Sequence, residues 1–514
     1  MRRSGAAALV AAALVAAGCA DDGGGGPEEP GRGAEAAVQI PPEVSRHAAE
    51  WPVPGGDYAN TRARPDASIT TANVDDLEVA WSAPLPGAGI FGNASTTPVV
   101  VDGVVYVQDL QSDVTAVGLD DGTVRWTHEY DQLQVGPNGV AVGYGKVFAT
   151  KGMDEIAALD LRTGEELWST EITVTETDGV DIQPLVVDGL VLASTVPVSV
   201  AGQFRGGDRG VLWALDADTG ERVWTFDTVP EDLWGDPATN SGGGAWFPPA
   251  VDPERGLVYW GTANPAPFPG TPEAPNGSSR PGPNPYTDSI VALQVRTGEL
   301  VWHHQVSPHD LFDHDLQHTA LVVPSGGGDP LVVGTGKAGR VVAVDARTGD
   351  LVSDTPVGIH RNDGRTELTG RTEVLPGLFG GVLTPPAVAD GVVFAATVNA
   401  PSQHEPGKED FFGGAPLGSL PGQLVAVDVA EGEVVWDTSV PGDPLGGALV
   451  VGDLVFTATV QGEVLAVDRA TGEVVRSFRA PGGVNGWPAA TGDTILWPIG
   501  QADPPALVAY RVRG

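Results

Sequence analysis

One phrase recurs along the 514 residues and limits the fold more than any other feature. A β-rich run ends in Ala-x-Asp, two or three residues follow, then Thr-Gly or a variant, then a strand usually ending in Trp. Clear copies run from Ala157-Ala158-Leu159-Asp160 to Thr163-Gly164 and Trp168, and from Ala214-Leu215-Asp216 to Thr219-Gly220 and Trp224. Others are Ala292-Leu293-Gln294 to Thr297-Gly298 and Trp302, and Ala426-Val427-Asp428 to Gly432 and Trp436. Asp120 with Gly122 and Trp126 is looser, while Asp345 with Thr348-Gly349 and Asp468 with Thr471-Gly472 keep the turn but lose the Trp. These are seven turns.

Each part of the phrase has a mechanical reading. The Asp carboxylate caps its own turn and the Gly accepts positive φ. The Trp packs on the neighbouring sheet, leaving its indole N–H to find an acceptor. Spacings of 40 to 83 residues fit a four-stranded blade of about 40–50 residues plus loop insertions. An eighth copy is split: Leu507-Val508-Ala509-Tyr510 reads as the strand before a turn, and Leu77-Glu78-Val79-Ala80-Trp81 as the strand after one. Pairing them closes a ring and removes exposed sheet edges. The expected fold is all-β, an eight-bladed β-propeller over residues 49–514.

Composition agrees. Glycine (71) and proline (44) exceed a fifth of the chain without a collagen-like period, as expected for many short elements joined by tight turns. The net charge of -39 repels nucleic acid and anionic lipid, so neither is an expected partner. Met1-Arg2-Arg3, an Ala/Leu/Val run over 6–17 and Gly18-Cys19 read as a signal peptide, residues 1–18. The run is too short to span a bilayer. Leu14-Val15-Ala16-Ala17-Gly18-Cys19 resembles a bacterial lipobox, which implies lipidation at Cys19. Ala16 stands where the usual Leu would be. Cys19 is the only cysteine, so intramolecular disulfides are excluded. Residues 19–48 then read as an acylated cysteine and a disordered tether. An exported protein held on the extracytoplasmic membrane face by lipid alone is expected.

The repeat resembles the tryptophan-docking motif of the pyrroloquinoline quinone-dependent (quinoprotein) alcohol dehydrogenases, which a non-enzymatic propeller lipoprotein of outer-membrane assembly shares. Segments outside the repeat favour the enzymes. Trp51 with Gly56-Asp57-Tyr58-Ala59-Asn60-Thr61-Arg62 resembles their opening. In Gly242-Gly243-Gly244-Ala245-Trp246, the resemblance implies that Trp246 stacks on the quinone. In Gly261-Thr262-Ala263-Asn264-Pro265, it implies that Asn264 is a calcium ligand. These roles are chemically reasonable: a planar cofactor wants an aromatic floor, and Ca²⁺ wants hard oxygens. The segment Trp302-His303-His304-Gln305-Val306-Ser307-Pro308-His309-Asp310-Leu311-Phe312-Asp313-His314-Asp315 is similar to the family's catalytic stretch. Asp313 falls on the base and metal-ligand position, with Asp310 just before it. A zinc site in this stretch fits no standard spacing. Lys337, in Gly336-Lys337-Ala338-Gly339-Arg340, takes the place of the cation that contacts the quinone oxygens.

The match departs from the family in several places. No adjacent cysteine pair exists to cover the quinone. The region of the family's glutamate ligand reads Ala201-Gly202-Gln203-Phe204-Arg205-Gly206-Gly207-Asp208, where Gln203, or Asp208 after a shift, would substitute. The Asn-Arg-Gly segment facing the cofactor is Pro137-Asn138-Gly139, leaving Asn138 as the candidate contact. An expected Asn-Trp pair is Leu383-Thr384, and no Cys-x-x-Cys-His for a haem is present. The leading expectation is an exported dehydrogenase that uses pyrroloquinoline quinone and Ca²⁺ to oxidise an alcohol or sugar and passes electrons to a separate acceptor. The alternative is a non-catalytic propeller acting as a binding or assembly scaffold.

Overall fold

The structure, a computed structural model, describes residues 37–89, 92–175, 177–198, 209–230, 234–236, 238–322, 329–408 and 420–513. Antiparallel sheets succeed one another along the chain. The first is Val99–Val101, Val104–Gln108, Val114–Gly118 and Val124–His128. Further four-stranded meanders lie within 140–171, 185–227, 250–305, 318–356, 387–440 and 449–479. A final sheet joins the two ends: Leu77–Pro84 pairs antiparallel with Ala506–Val512, setting Val79 opposite Tyr510 and Trp81 opposite Ala509. The terminal pairing expected from sequence is therefore present, and the architecture is an all-β propeller. The sheets are not uniform. Ala63–Arg64 adds a parallel strand beside Leu449–Val451, and short strands extend the 185–227 sheet to seven.

Burial along each meander explains its sequence. Third strands such as Val114–Gly118 are buried throughout, because neighbouring sheets cover both faces. Fourth strands such as Glu166–Glu171 lie at the periphery, partly solvated, and carry the charge.

The repeated phrase is the joint between neighbours. Trp81, Trp224, Trp302 and Trp436 donate their indole N–H to Leu119, Val295, Ala346 and Arg469 carbonyls at 2.9, 2.9, 3.1 and 3.0 Å. Each carbonyl belongs to the turn of the next sheet. The ring then lies flat on that turn's glycine: a Cβ on Gly122, Gly298 or Gly349 would stand 2.6 Å from an indole carbon. These glycines also hold φ of 67–74°, so positive φ and the missing side chain are both required. Asp160 Oδ1 accepts the Arg162 and Thr163 N–H groups at 3.0 and 2.9 Å, so the carboxylate does cap its own turn. Where the Trp is lost, smaller or charged groups substitute. Ser353 Oγ donates to Val429 O at 2.6 Å, and Arg476 donates to Val74 O.

The opening motif is a strap across the ring. Tyr58 Oη donates to Val186 O (2.7 Å), and Asn60 to the Pro248 and Thr319 carbonyls (3.0 and 3.2 Å). The buried Arg62 donates to Ala448 O and Pro488 O (3.1 and 2.7 Å). One short segment thus ties five sheets or their connectors together. The folded unit also begins earlier than composition indicates, at Ala37. Residues 37–48 are not all tether: Pro42–Arg46 is helical, and Glu43 accepts the Tyr144 and Gly145 N–H groups at 3.0 and 2.8 Å. A short, Pro-containing segment hides this, because Val38 and Val44 find their apolar partners, and Glu43 its backbone donors, only on the propeller.

Candidate active site

In an antiparallel meander the first and third turns lie at one end of the sheet. The second loop and the connector to the next sheet lie at the other. The Asp-Thr-Gly turns occupy the first rim. Within the second rim lies a cavity of about 610 Å³, lined among others by Trp246, Asn264, Asp313, Lys337, Asp181 and Leu383. Four residues predicted for the site therefore share one cavity.

The glycines before Trp246 bring backbones together. A Cβ on Gly242 would lie 2.4 Å from Asn264 O, and one on Gly244 2.1 Å from Thr195 O. This close approach delivers Trp246 to the cavity wall beside Asn264. Lys337 Nζ sits 4.3 Å from the Trp246 ring centroid, a cation–π geometry.

Lys337 Nζ also lies 2.7 Å from both Asp313 Oδ2 and Asp315 Oδ2. Burial opposes the ammonium charge, but the two carboxylates prevail and hold its pKa above the ordinary lysine value. Burial drives Asp313 the other way from a surface carboxylate: its pKa is well raised, opposed by Lys337 and reinforced by Asp315. The result is a carboxylate more basic than usual, as a proton acceptor requires. Asp313 holds φ of 65°, a left-handed conformation that Asp tolerates better than most residues. Asp315 is fully buried and accepts the Asn264 N–H through Oδ1 at 2.6 Å, linking the metal-ligand candidate to the base through one side chain.

Other expectations need correction. Asp310 does not line the cavity: its carboxylate accepts the Phe312 and His314 N–H groups, both at 2.9 Å, and so shapes the loop that presents Asp313. Asn138 also turns away. It is fully buried and donates to Asp109 O at 2.6 Å, while its neighbours Gly136 and Pro137 reach the cavity. Gln203, Asp208 and Cys19 lie outside the described residues. Sequence reasoning missed the roles of Asp315 and Asp181. Asp315 was visible as the second acid of Asp313-His314-Asp315, whereas Asp181 carries no motif.

A family model described as glucose/ethanol/alcohol dehydrogenase, beta-propeller domain, matches residues 51–144 and 177–357. A second, described as outer membrane protein assembly factor BamB, matches 111–240 and 407–498. The quinohemoprotein alcohol dehydrogenase ADH-IIG of Pseudomonas putida is 32% identical over 336 residues, which is 59% of this chain and 45% of that protein. The quinohemoprotein alcohol dehydrogenase of Comamonas testosteroni is 29% identical over 491 residues, 80% of this chain and 66% of the relative. The crystal structure of the Comamonas testosteroni enzyme gives a TM-score of 0.77 at 25% identity, covering 91% of this chain and 81% of that one. The chain thus spans between 45% and 66% of the length of these two curated relatives. Joined to a cavity that gathers Trp246, Asn264, Asp313 and Lys337, these matches show that the chain belongs to the pyrroloquinoline quinone-dependent quinoprotein alcohol dehydrogenase β-propeller family.

Proposed function

We propose that this protein is an exported dehydrogenase that oxidises an alcohol or sugar with pyrroloquinoline quinone. The observation that carries the reading is the convergence of Asp313, Lys337 and Trp246 in one cavity, with Lys337 bonded to Asp313 and poised over the Trp246 ring. The residues fit the cofactor: an aromatic face for a planar ring system, a buried cation for its carbonyl oxygens and a largely apolar wall. Held against Trp246 and Lys337, the quinone would supply the electrophilic carbonyl chemistry that alcohol oxidation needs. Asp313 takes the alcohol O–H proton on its carboxylate. Lys337 holds that carboxylate in place, and Asp310 fixes the loop beneath it.

Ca²⁺ belongs to the same proposal. Among the described residues no cluster of three or more His, Cys, Asp or Glu side chains gathers. The cation would be held by oxygens of Asn264 and Asp313, with Gln203, outside the described residues, as a further ligand, and it would polarise the substrate oxygen. With one cysteine in the chain, no disulfide ring can cover the cofactor. Counting the sheet shared by the two termini as a blade gives eight, which the seven repeat turns plus the split copy support. Export and acylation at Cys19 rest on residues 1–19. Among the described residues no helix is long and apolar enough to cross a membrane. Electrons would leave to a separate acceptor.

The test is dye-linked oxidation across an alcohol and sugar panel with added quinone and Ca²⁺. Activity that Asp313→Ala abolishes supports the proposal, and bound quinone with no activity on any substrate refutes it. A second reading, a scaffold propeller, is favoured by the BamB match and by Asn138 turning from the cavity. Absence of quinone binding would favour it.

A further inference from the structure

The cavity contains a carboxyl group that the chemistry above does not use. Asp181 lies in the connector between Glu166–Glu171 and Leu185–Val187 and lines the same cavity as Trp246, Asp313 and Lys337. It is 8% exposed, and its Oδ1 accepts no hydrogen bond among the described residues.

Its surroundings offer little to a negative charge. The 135–137 connector contributes the Gly136 N–H beside apolar Val135 and Pro137, and the strand Leu190–Pro197 contributes Val196 and Pro197. The neighbouring strand Asp178–Val180 carries Asp178, whose carboxylate is committed to the Val174 and Thr175 N–H groups at 2.9 and 2.8 Å. The other charged groups of the wall, Lys337 and Asp313, are paired with each other at 2.7 Å. A desolvated carboxylate without a cation favours its neutral form, and burial raises the Asp181 pKa to about 8. A neutral Asp181 presents an O–H to the cavity, and its Oδ1 has no partner among the described residues.

We propose that Asp181 donates a hydrogen bond to the bound quinone, and that cofactor uptake is therefore gated by pH. This rests on the quinone reading above. Pyrroloquinoline quinone is anionic and rich in carboxylate and carbonyl acceptors. It suits a neutral donor and is repelled by an ionised one.

The experiment is equilibrium titration of quinone into the full chain at constant Ca²⁺, followed by tryptophan fluorescence. Wild type is expected to bind about tenfold more weakly at pH 9 than at pH 7, the loss of one required proton. Asp181→Asn keeps a donor without the charge and should bind within about threefold of wild type at pH 7, with equal affinity at pH 9. Equal wild-type affinity at both pH values overturns the proposal, and so does an Asn variant that keeps the pH dependence. An Asn variant more than tenfold weaker at pH 7, with an unchanged melting temperature, also overturns it, since the anion would then be what the ligand needs. Absence of binding by wild type at either pH overturns this proposal and the dehydrogenase reading together. Binding that is flat in pH, with dye-linked activity intact, overturns this one alone.

Discussion

The two rims of the propeller are built from the same strands and obey different rules. On the turn rim one solution recurs: an indole, or its Ser353 or Arg476 stand-in, bonds to the next sheet, while Trp168 packs on Gly220 without a bond from its N–H. On the loop rim the connectors around the cavity carry unlike groups. One carries three glycines that let backbones touch, and another carries an acidic run around a buried lysine. The first rim spends sequence on closing the ring; the second places unlike groups around one cavity. Stability should therefore map to one rim and chemistry to the other.

The largest expected effect lies on the loop rim. Asp313→Asn should lower dye-linked turnover by about two to four orders of magnitude, the usual range for a lost general base. Quinone affinity should stay within a few-fold of wild type by fluorescence titration. Next comes the turn rim. Trp302→Ala removes a buried ring and its 3.1 Å bond to Ala346 O, and should cost about 3–5 kcal/mol in denaturant unfolding. Quinone affinity should be unchanged; a matching loss of affinity would break the division between rims. Gly349→Ala sets a Cβ against that same indole at positive φ, and should cost about 1–3 kcal/mol in the same measurement.

The smallest effect concerns the turn carboxylates. Two backbone N–H groups hold the Asp160 pKa below the ordinary value. Its contribution is therefore present at neutral pH and is lost as pH falls through the carboxylate range. Asp160→Asn should cost less than about 1.5 kcal/mol at pH 7. Its unfolding midpoint should converge on that of wild type as pH drops toward 3. A difference that persists at low pH would show that turn geometry, not charge, carries the effect.

How much was legible follows the same line. The Asp-Thr-Gly-Trp phrase is short and repeated, so it revealed the sheets, their turns and even the pairing of Leu77–Pro84 with the C-terminal strand. The site was readable where a short string fixes both spacing and chemistry, as with Trp246, Asn264, Asp313 and Lys337. It failed where direction matters. Asp310 and Asn138 sit in the right strings, but their side chains satisfy backbone groups, a choice made by the curl of each loop. Residues 37–48 looked like tether because composition does not report the distant core that buries Val38 and Val44 or the N–H groups that Glu43 accepts.

By itself, then, the sequence determined the repeat, the ring closure and the identities of the groups able to do redox chemistry, because a short phrase marks the same strand and turn in every copy, including the copy split between the two ends. Only the tertiary structure decided which acids face the cavity. Asp315 and Asp181 acquire their character from groups on other segments: Lys337 and Asn264 for the first, an apolar wall with one N–H for the second. A carboxylate's basicity depends on charges and water within a few ångströms, and in a propeller those ångströms cross blades far apart in the chain.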